Sequence, residues 1–509
     1  MLLIHPPVVR PCEAPAGIAG LAGFLRSRHY PCQIVDLNLE CLRYLLETTH
    51  YSEAMGDTWT LRALKNRTAH LAQLSLWKTY RQFDRHGSAV RSLNRVLAAQ
   101  AGQTGGRFSL TDYEDANLLP IRSNDLIQAA KTPERNLFYP FFAPRLSSLI
   151  EAHNPRTIGI SLNYLPQALS TFAIIGWLRK HHPKKRIVLG GGLVTSWLSR
   201  PDWHSPFDGW VDNLVTGPGE PFLADLLSLD IQQGGNLADY NGFPRQNYLA
   251  PGFILPYSAS RGCWWRRCAF CPEKAEDSTY CPTPPGLVQA NLQTLIAETH
   301  PILIHFLDNA LSPTLLQVLI KDPPGVPWYG FARFTTELRD PDFCRALKAS
   351  GCVMLKLGLE SGDQDVLDNL EKGIELEGAS QSLKQLHEAG VGTYVYLLFG
   401  TPAETPEAAG RTMAFVGGHK NWIDFLNVAI FNLPAFSQEA DELATFPFYE
   451  GDLSLYLNFR HPHGWNREQV RRFLDREFKR HPAIAPILRR DPACFTSNHA
   501  PLFLMARKT

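Results

Sequence analysis

The chain opens on a short apolar run at residues 2–4, a stretch at 14–27 with Ile18, Leu21 and Leu25 at helical spacing, and a second apolar run at 33–37. Short apolar runs read as buried strands and a 3.6-residue period as an amphipathic helix, so the start is β-α-β. From about 40 to 150 this alternation stops. Helical periodicity takes over, as at 71–83 and 89–99, followed by a polar stretch at 100–115, and a mostly helical insertion is predicted. Alternation resumes with a strand at 157–162, a helix at 169–181, a strand at 186–190 ending in Gly190-Gly191-Gly192, and a short strand before Thr216-Gly217-Pro218-Gly219-Glu220. At the carboxyl end of a parallel strand, glycine lets a bulky ligand approach the backbone, although each of these glycines taken alone is equally well read as a turn.

A passage rich in Pro and Gly at 237–256 predicts a linker, and a second series follows with strands at 256–260, 302–307, 328–333, 353–359, 392–399 and 425–430. Three of its helices open on a capping residue followed by proline, at Ser312-Pro313, Asp340-Pro341 and Thr405-Pro406, where the fixed φ of proline suits a first turn. Six such units predict an incomplete barrel. After about 436 the clear pattern is a helix near 467–479. The expected architecture is α/β: a Rossmann-like domain over 1–245 with the helical insertion, a partial (β/α)6 barrel over 246–435, and a small helical C-terminal domain over 436–509.

Composition agrees with a folded chain: 44% of the 509 residues are hydrophobic and 19% charged, and the length exceeds what one core organises. Fifty basic residues against forty-nine acidic give a formal charge of +1, without a block of five or six like charges, so the footprint of a nucleic-acid binder is missing. Residues 1–7 lack the basic start and apolar run of a signal peptide, and no stretch approaches the ~18 apolar residues of a membrane span. A cytoplasmic protein without a membrane partner is expected. Cysteines stay reduced there, so a tight cluster of them reads as a metal or redox site.

Such a cluster exists. Ser260-Arg261-Gly262-Cys263-Trp264-Trp265-Arg266-Arg267-Cys268-Ala269-Phe270-Cys271 places three thiols within nine residues behind the first barrel strand. Three thiolates can hold three irons of a four-iron four-sulfur cluster and leave the fourth open, whereas a structural zinc wants four protein ligands, for which Cys281 is the candidate. Spacing alone leaves both open. Cys344, Cys352 and Cys494 read as buried small hydrophobes. Trp465, Arg467, Arg471, Arg472, Phe495 and the run Ser497-Asn498-His499-Ala500 are candidates to cover the barrel mouth and touch substrate, with ordinary surface helix as the first reading of the charges.

The cysteine loop is similar to the C-x3-C-x2-C signature of the radical S-adenosylmethionine (SAM) superfamily, with Phe270 as the aromatic residue before the last cysteine. Asp308-Asn309, Gly358-Leu359-Glu360-Ser361-Gly362 and Phe399-Gly400-Thr401-Pro402-Ala403-Glu404-Thr405 follow in the family's order over about 254–430. The chain resembles the branch of that superfamily with an N-terminal cobalamin (B12)-binding domain. The resemblance implies that Cys263, Cys268 and Cys271 hold a 4Fe-4S cluster, and that Phe270, Asp308, Asn309, Arg333, Glu360, Ser361, Gly400, Pro402 and Glu404 bind SAM. For Arg333 a hold on the methionine carboxylate and a structural ion pair are both open. One departure is that four residues separate Cys263 from Cys268 where the common pattern has three, so the loop must bulge.

In the N-terminal unit, Ile4-His5-Pro6-Pro7, Ile158-Gly159-Ile160-Ser161, Leu189-Gly190-Gly191-Gly192 and Gly217-Pro218-Gly219-Glu220 are similar to the family's cobalamin-binding domain. Cobalamin is implied against Pro6, Pro7, Ser161, Asn163, Gly190, Gly191, Gly192, Gly217, Gly219 and Glu220. The D-x-H-x-x-G motif that places histidine on cobalt is absent, since Asp84-Arg85-His86 is followed by Ala89 where glycine belongs. The function implied is reductive cleavage of SAM by a cobalamin-dependent methyltransferase acting on an unactivated carbon of a small-molecule or natural-product substrate, fed by a donor such as a flavodoxin or ferredoxin. Alternatives are a radical rearrangement or cyclisation, and a zinc-stabilised binding protein, against which the ordered Glu360 and Glu404 motifs argue. No acid or base catalyst follows from the sequence.

Overall fold

The computed structural model describes residues 1–48, 57–102, 105–231 and 237–493. The chain divides into two compact units, Met1–Phe253 together with Tyr449–Leu455, and Ile254–Phe448 together with the chain from Tyr456 onward.

The first unit is built on a parallel sheet of β1 (Leu2–His5), β2 (Gln33–Asp36), β3 (Thr157–Ser161), β4 (Arg186–Gly190) and β5 (Asn213–Leu214), in the order β2-β1-β3-β4-β5. Its order reverses between β1 and β3, whose carboxyl ends therefore open a crevice of the kind that takes ligands in doubly wound sheets. Strand β1 is buried throughout and β3 over its first four residues, which is why both are uninterrupted apolar runs. The insertion forms helices Leu37–Thr48, Thr58–Gln73, Phe83–Gly102, Ser123–Lys131 and Tyr139–His153, among others, and its polar stretch folds into a hairpin of Arg107–Phe108 and Tyr113–Glu114. His86 lies in the insertion, buried against Tyr80 with ring centroids 5.0 Å apart, and not at a strand end.

The second unit holds six parallel strands in sequential order: β6 (Ile254–Tyr257), β7 (Leu303–Phe306), β8 (Trp328–Ala332), β9 (Cys352–Glu360), β10 (Gly392–Phe399) and β11 (Phe425–Ile430). Phe306, Trp328, Leu355, Leu357 and Phe399 are fully buried in its core. The proline-led helices start as their sequences dictate, since Ser312 accepts from Leu315 N, Asp340 from Asp342 N and Thr405 from Ala408 N.

Two expectations need correction. The passage at 237–256 is not a loose linker: Tyr240, Tyr248, Leu249 and Phe253 are buried, strand β6 begins inside it, and the units part at Phe253–Ile254. Its Pro and Gly residues shape turns between aromatic anchors. The stretch after 436 is not purely helical either. Leu433–Pro434, Thr445–Pro447 and Tyr456–Phe459 form an antiparallel sheet, ahead of helices Arg467–Arg476 and Ala485–Leu488. Strands of two to four residues, two of them ending in proline, are too short to show a period of two. The three strands and both helices belong to the barrel unit. Cys344 and Cys352 are fully buried, whereas Cys494, Phe495 and the run 497–500 lie outside the described residues. No helix among the described residues is long and apolar enough to cross a membrane.

Candidate functional site

The cysteine loop leaves β6 through Ser260–Arg261, which pairs antiparallel with Cys281–Pro282. Asp308, at the end of β7, fixes this exit: its buried carboxylate accepts from Ala259 N at 3.0 Å and from the Ser260 hydroxyl. Burial pushes that carboxyl above its ordinary range against the pull of these donors. Asp308 therefore braces the loop. Asn309 beside it is exposed.

The residue in excess of the common spacing is absorbed as a bulge. Arg266 takes a left-handed backbone conformation (φ 51°), and Trp265 turns into a slot, donating from Nε1 to Glu371 O at 3.1 Å. Gly373 forms the slot wall: it is left-handed (φ 63°), and a Cβ there would lie 2.3 Å from Trp265 Cζ2. Ala269 N donates to Leu370 O at 3.0 Å, so both halves of the loop rest on one turn. Phe270 is anchored among Val366, Leu370 and Ala408 on one side and Phe431 and Leu433 on the other.

Cys268 is buried, and Cys263 and Cys271 are partly so. Burial raises the Cys271 thiol, Cys268 and Cys263 push it further in the same direction, and bonds from the backbone of Glu273 and Lys274 pull it back. Cys271 thus senses the other two sulfurs. Arg333 Nη1 donates to Cys268 Sγ at 3.6 Å. Cys281 stays exposed on its strand. Three thiols within nine residues, one of them beside a buried cation, are a donor set that fits an iron-sulfur cluster. Trp264 adds a buried Nε1 without a partner among the described residues, and it lines clefts of about 490 Å³, with Ser260, Tyr280 and Asp308, and about 300 Å³, with Arg333, Glu337 and Arg339.

The other expected SAM residues fall into two groups. Glu360, left-handed at the end of β9 (φ 69°), accepts from Lys372 Nζ at 2.7 Å in a pair whose side chains are only 12% and 8% exposed. Lys372 also lies 5.3 Å from the Phe270 ring, and its carbonyl accepts from Arg333. Glu360, Lys372, Phe270, Arg333 and Cys268 are thus one connected cluster. Ser361 is turned away from it, buried against Thr412 Oγ1 at 3.1 Å. The second group lies after β10, where Glu404 Oε2 accepts from Gly400 N at 2.5 Å and from Trp465 Nε1 at 2.8 Å. His461 Nε2 meets Thr401 O at 2.8 Å, and Pro402 is half-buried beside them.

Sequence reasoning missed Lys372 and a pair inside the barrel unit, Lys356 and His305, whose Nζ and Nε2 are 2.9 Å apart and buried. A lysine amid the apolar run of β9 was the available signal for that pair. Lys372 offered none. Trp465, one of the residues offered as cover of the barrel mouth, is buried, and Arg467 is half-buried and donates from Nη1 to Phe431 O at 3.1 Å and to Asn432 Oδ1 at 2.8 Å, while Glu468, Arg471, Arg472, Asp475 and Arg476 face solvent with Val470, Phe473 and Leu474 inward.

In the N-terminal unit, Asn163 donates to Ser161 Oγ at 3.0 Å and accepts from Gly192 N at 3.0 Å, and Gln167 donates to Pro6 O at 2.7 Å, tying the ends of β1, β3 and β4 together. Gly191 (φ 112°) is required by the chain itself, as a Cβ would stand 2.4 Å from Leu162 O. Gly190 and Gly219 face Val215 and Leu21, and Glu220 reaches toward Gly20. Gly217 is left-handed (φ 64°) and looks into open space, and Tyr164 beside the crevice is 57% exposed. His5, at the end of β1 and directly before Pro6, has a buried Nδ1 without a partner among the described residues, and burial lowers its pKa against the pull of Asp36. A reversal of strand order edged by an exposed aromatic and by a left-handed glycine that faces open space fits a large planar cofactor such as cobalamin.

No protein-family model matches the chain. The anaerobic magnesium-protoporphyrin IX monomethyl ester cyclase of Rubrivivax gelatinosus is 24% identical over 280 residues, which are 46% of this chain and 49% of that protein, so the chain spans about half the length of this curated relative. Among solved structures, the radical SAM methyltransferase TsrM of Kitasatospora setae, with cobalamin and a 4Fe-4S cluster bound, superposes with a TM-score of 0.53 at 16% identity over 87% of this chain and 77% of that one. The same enzyme with tryptophan substrate and the SAM analogue aza-SAM gives 0.52 at 16% identity, over 87% and 75%. At such identity the likeness is one of fold.

Proposed function

We propose that this chain, which has the fold of the cobalamin-bound radical SAM methyltransferase TsrM, is a radical SAM enzyme whose cluster sits on Cys263, Cys268 and Cys271. The observation that carries this reading is the three thiols within nine residues on a loop behind the first of six parallel strands, joined through Arg333 to the Lys372–Glu360 pair. A 4Fe-4S cluster held there would supply the electron that cleaves SAM, and cobalamin at the N-terminal crevice would supply a methyl group. The protein's share is to bind, orient and exclude water. Phe270, Glu360, Gly400, Pro402 and Glu404 belong to that shell for SAM, with Asp308 bracing the loop that carries the thiols. Pro6, Pro7, Ser161, Asn163, Gly190, Gly191, Gly192, Gly217, Gly219 and Glu220 form the edge against which cobalamin would lie, with the last glycines and Gly191 shaping it from behind.

The reaction we infer is methyl transfer to an unactivated carbon of a small molecule, with a flavodoxin or ferredoxin as electron donor. A carbon-centred cyclisation is the second reading, favoured by the similarity to a cyclase over 280 residues. The test is incubation of anaerobically reconstituted protein with SAM and a chemical reductant, with and without cobalamin. We expect 5′-deoxyadenosine in both cases and S-adenosylhomocysteine only with cobalamin. Deoxyadenosine without any S-adenosylhomocysteine moves the assignment to cyclisation or rearrangement, and neither product overturns it.

A further inference from the structure

Arg333 follows β8 and is 7% exposed. Burying a guanidinium is costly unless an anion or a full set of acceptors meets it. Among the described residues no carboxylate pairs with it, since the nearby Glu360 is taken by Lys372. Its contacts are instead the Cys268 sulfur at 3.6 Å, the Lys372 carbonyl, and the face of Trp265, whose ring centroid lies 4.3 Å from Cζ. Trp264 stands at 5.8 Å. Among the described residues, the thiol of Cys268 is therefore the acidic group this buried cation addresses.

We propose that Arg333 is a positioning residue that sets the reduction potential of the cluster through Cys268, and that the extra residue of the loop exists to seat Trp265 beneath it. The inference rests on the reading of the cysteine loop proposed above. A reduced cluster carries one more negative charge than an oxidised one, so an N–H donor and a fixed positive charge at a ligand sulfur favour reduction. The bulge supplies the means. With Arg266 left-handed and Trp265 locked between Glu371 O and Gly373, an indole face holds the guanidinium in the plane that points Nη1 at Cys268. Lys372, whose carbonyl takes the other end of Arg333, carries the same fix to Glu360.

The test is a redox titration followed by electron paramagnetic resonance on anaerobically reconstituted wild type, Arg333→Gln and Arg333→Lys, without SAM. In Arg333→Gln the ratio of reduced to oxidised cluster at a fixed potential should fall about tenfold, which is about 59 mV for a one-electron couple. Arg333→Lys, which keeps the charge but not the fork, should fall between the two, and it carries the measurement if the Gln variant loses its iron. A residue serving only the packing of the loop would lower iron content and leave the potential of the remaining clusters unchanged, and one holding the SAM carboxylate would weaken SAM binding at unchanged potential. Either result overturns the assignment. A wild-type chain that takes up no cluster overturns the underlying reading as well, whereas a cluster indifferent to both variants overturns this inference alone.

Discussion

Glu404 is fully buried, with both hydrogen bonds on Oε2 and no partner for Oε1 among the described residues. Burial outweighs the help of Gly400 N and Trp465 Nε1 and pushes its carboxyl from the ordinary 4.5 to about 7. A carboxyl raised on folding contributes stability that is complete below its unfolded value and lost as pH rises through the folded one. The wild-type protein should therefore lose up to about 3 kcal/mol between pH 4.5 and 8 from this group. Glu404→Gln should remove that loss, so its melting temperature should gain on wild type as pH rises from 5.5 to 8.5. A difference independent of pH would show that Glu404 is ionised in the folded chain. The motif named Glu404 from sequence, yet nothing local revealed its partner: Trp465 follows His461, His463 and Gly464, a polar setting that reads as surface.

The bulged cysteine loop depends on a slot as much as on its own sequence. The three thiols and the extra residue were legible as one tight cluster, because thiols this close in a reduced chain read as a metal or redox site. The slot was not, because Glu371 and Gly373 lie about a hundred residues on and come under Trp265 only when β9 and its turn fold. Gly373→Ala would place a Cβ 2.3 Å from Trp265 at a left-handed φ, costing about 1–2 kcal/mol in backbone strain before any clash. Iron retained after reconstitution should drop by more than half while the far-UV circular dichroism stays that of wild type. Wild-type iron and stability in this variant would mean that the slot does not support the loop. The short strands after 433 illustrate the opposite limit, since pairing partners far apart in sequence define them.

Across the whole molecule, the two parallel sheets were legible because most of their strands are apolar runs followed by a periodic helix, and the match is within a few residues at β6 and β7 and complete at β10 and β11. The division of the chain was less so: buried Tyr240, Tyr248 and Phe253 fill a passage whose Pro and Gly content suggested a linker. The site's ionic logic was hidden altogether, as Lys372 and Arg333 meet only through folding. The central proposal is a cluster held by three cysteines with one iron left for SAM. The measurement that tests it most directly is iron and acid-labile sulfide analysis with electron paramagnetic resonance of the reduced, reconstituted chain, before and after SAM is added. The result expected is about four irons per chain, a signal that SAM alters, an unchanged result for Cys281→Ala, and no cluster in Cys268→Ala. Zinc in place of iron, or equal loss in Cys281→Ala and Cys268→Ala, would contradict it.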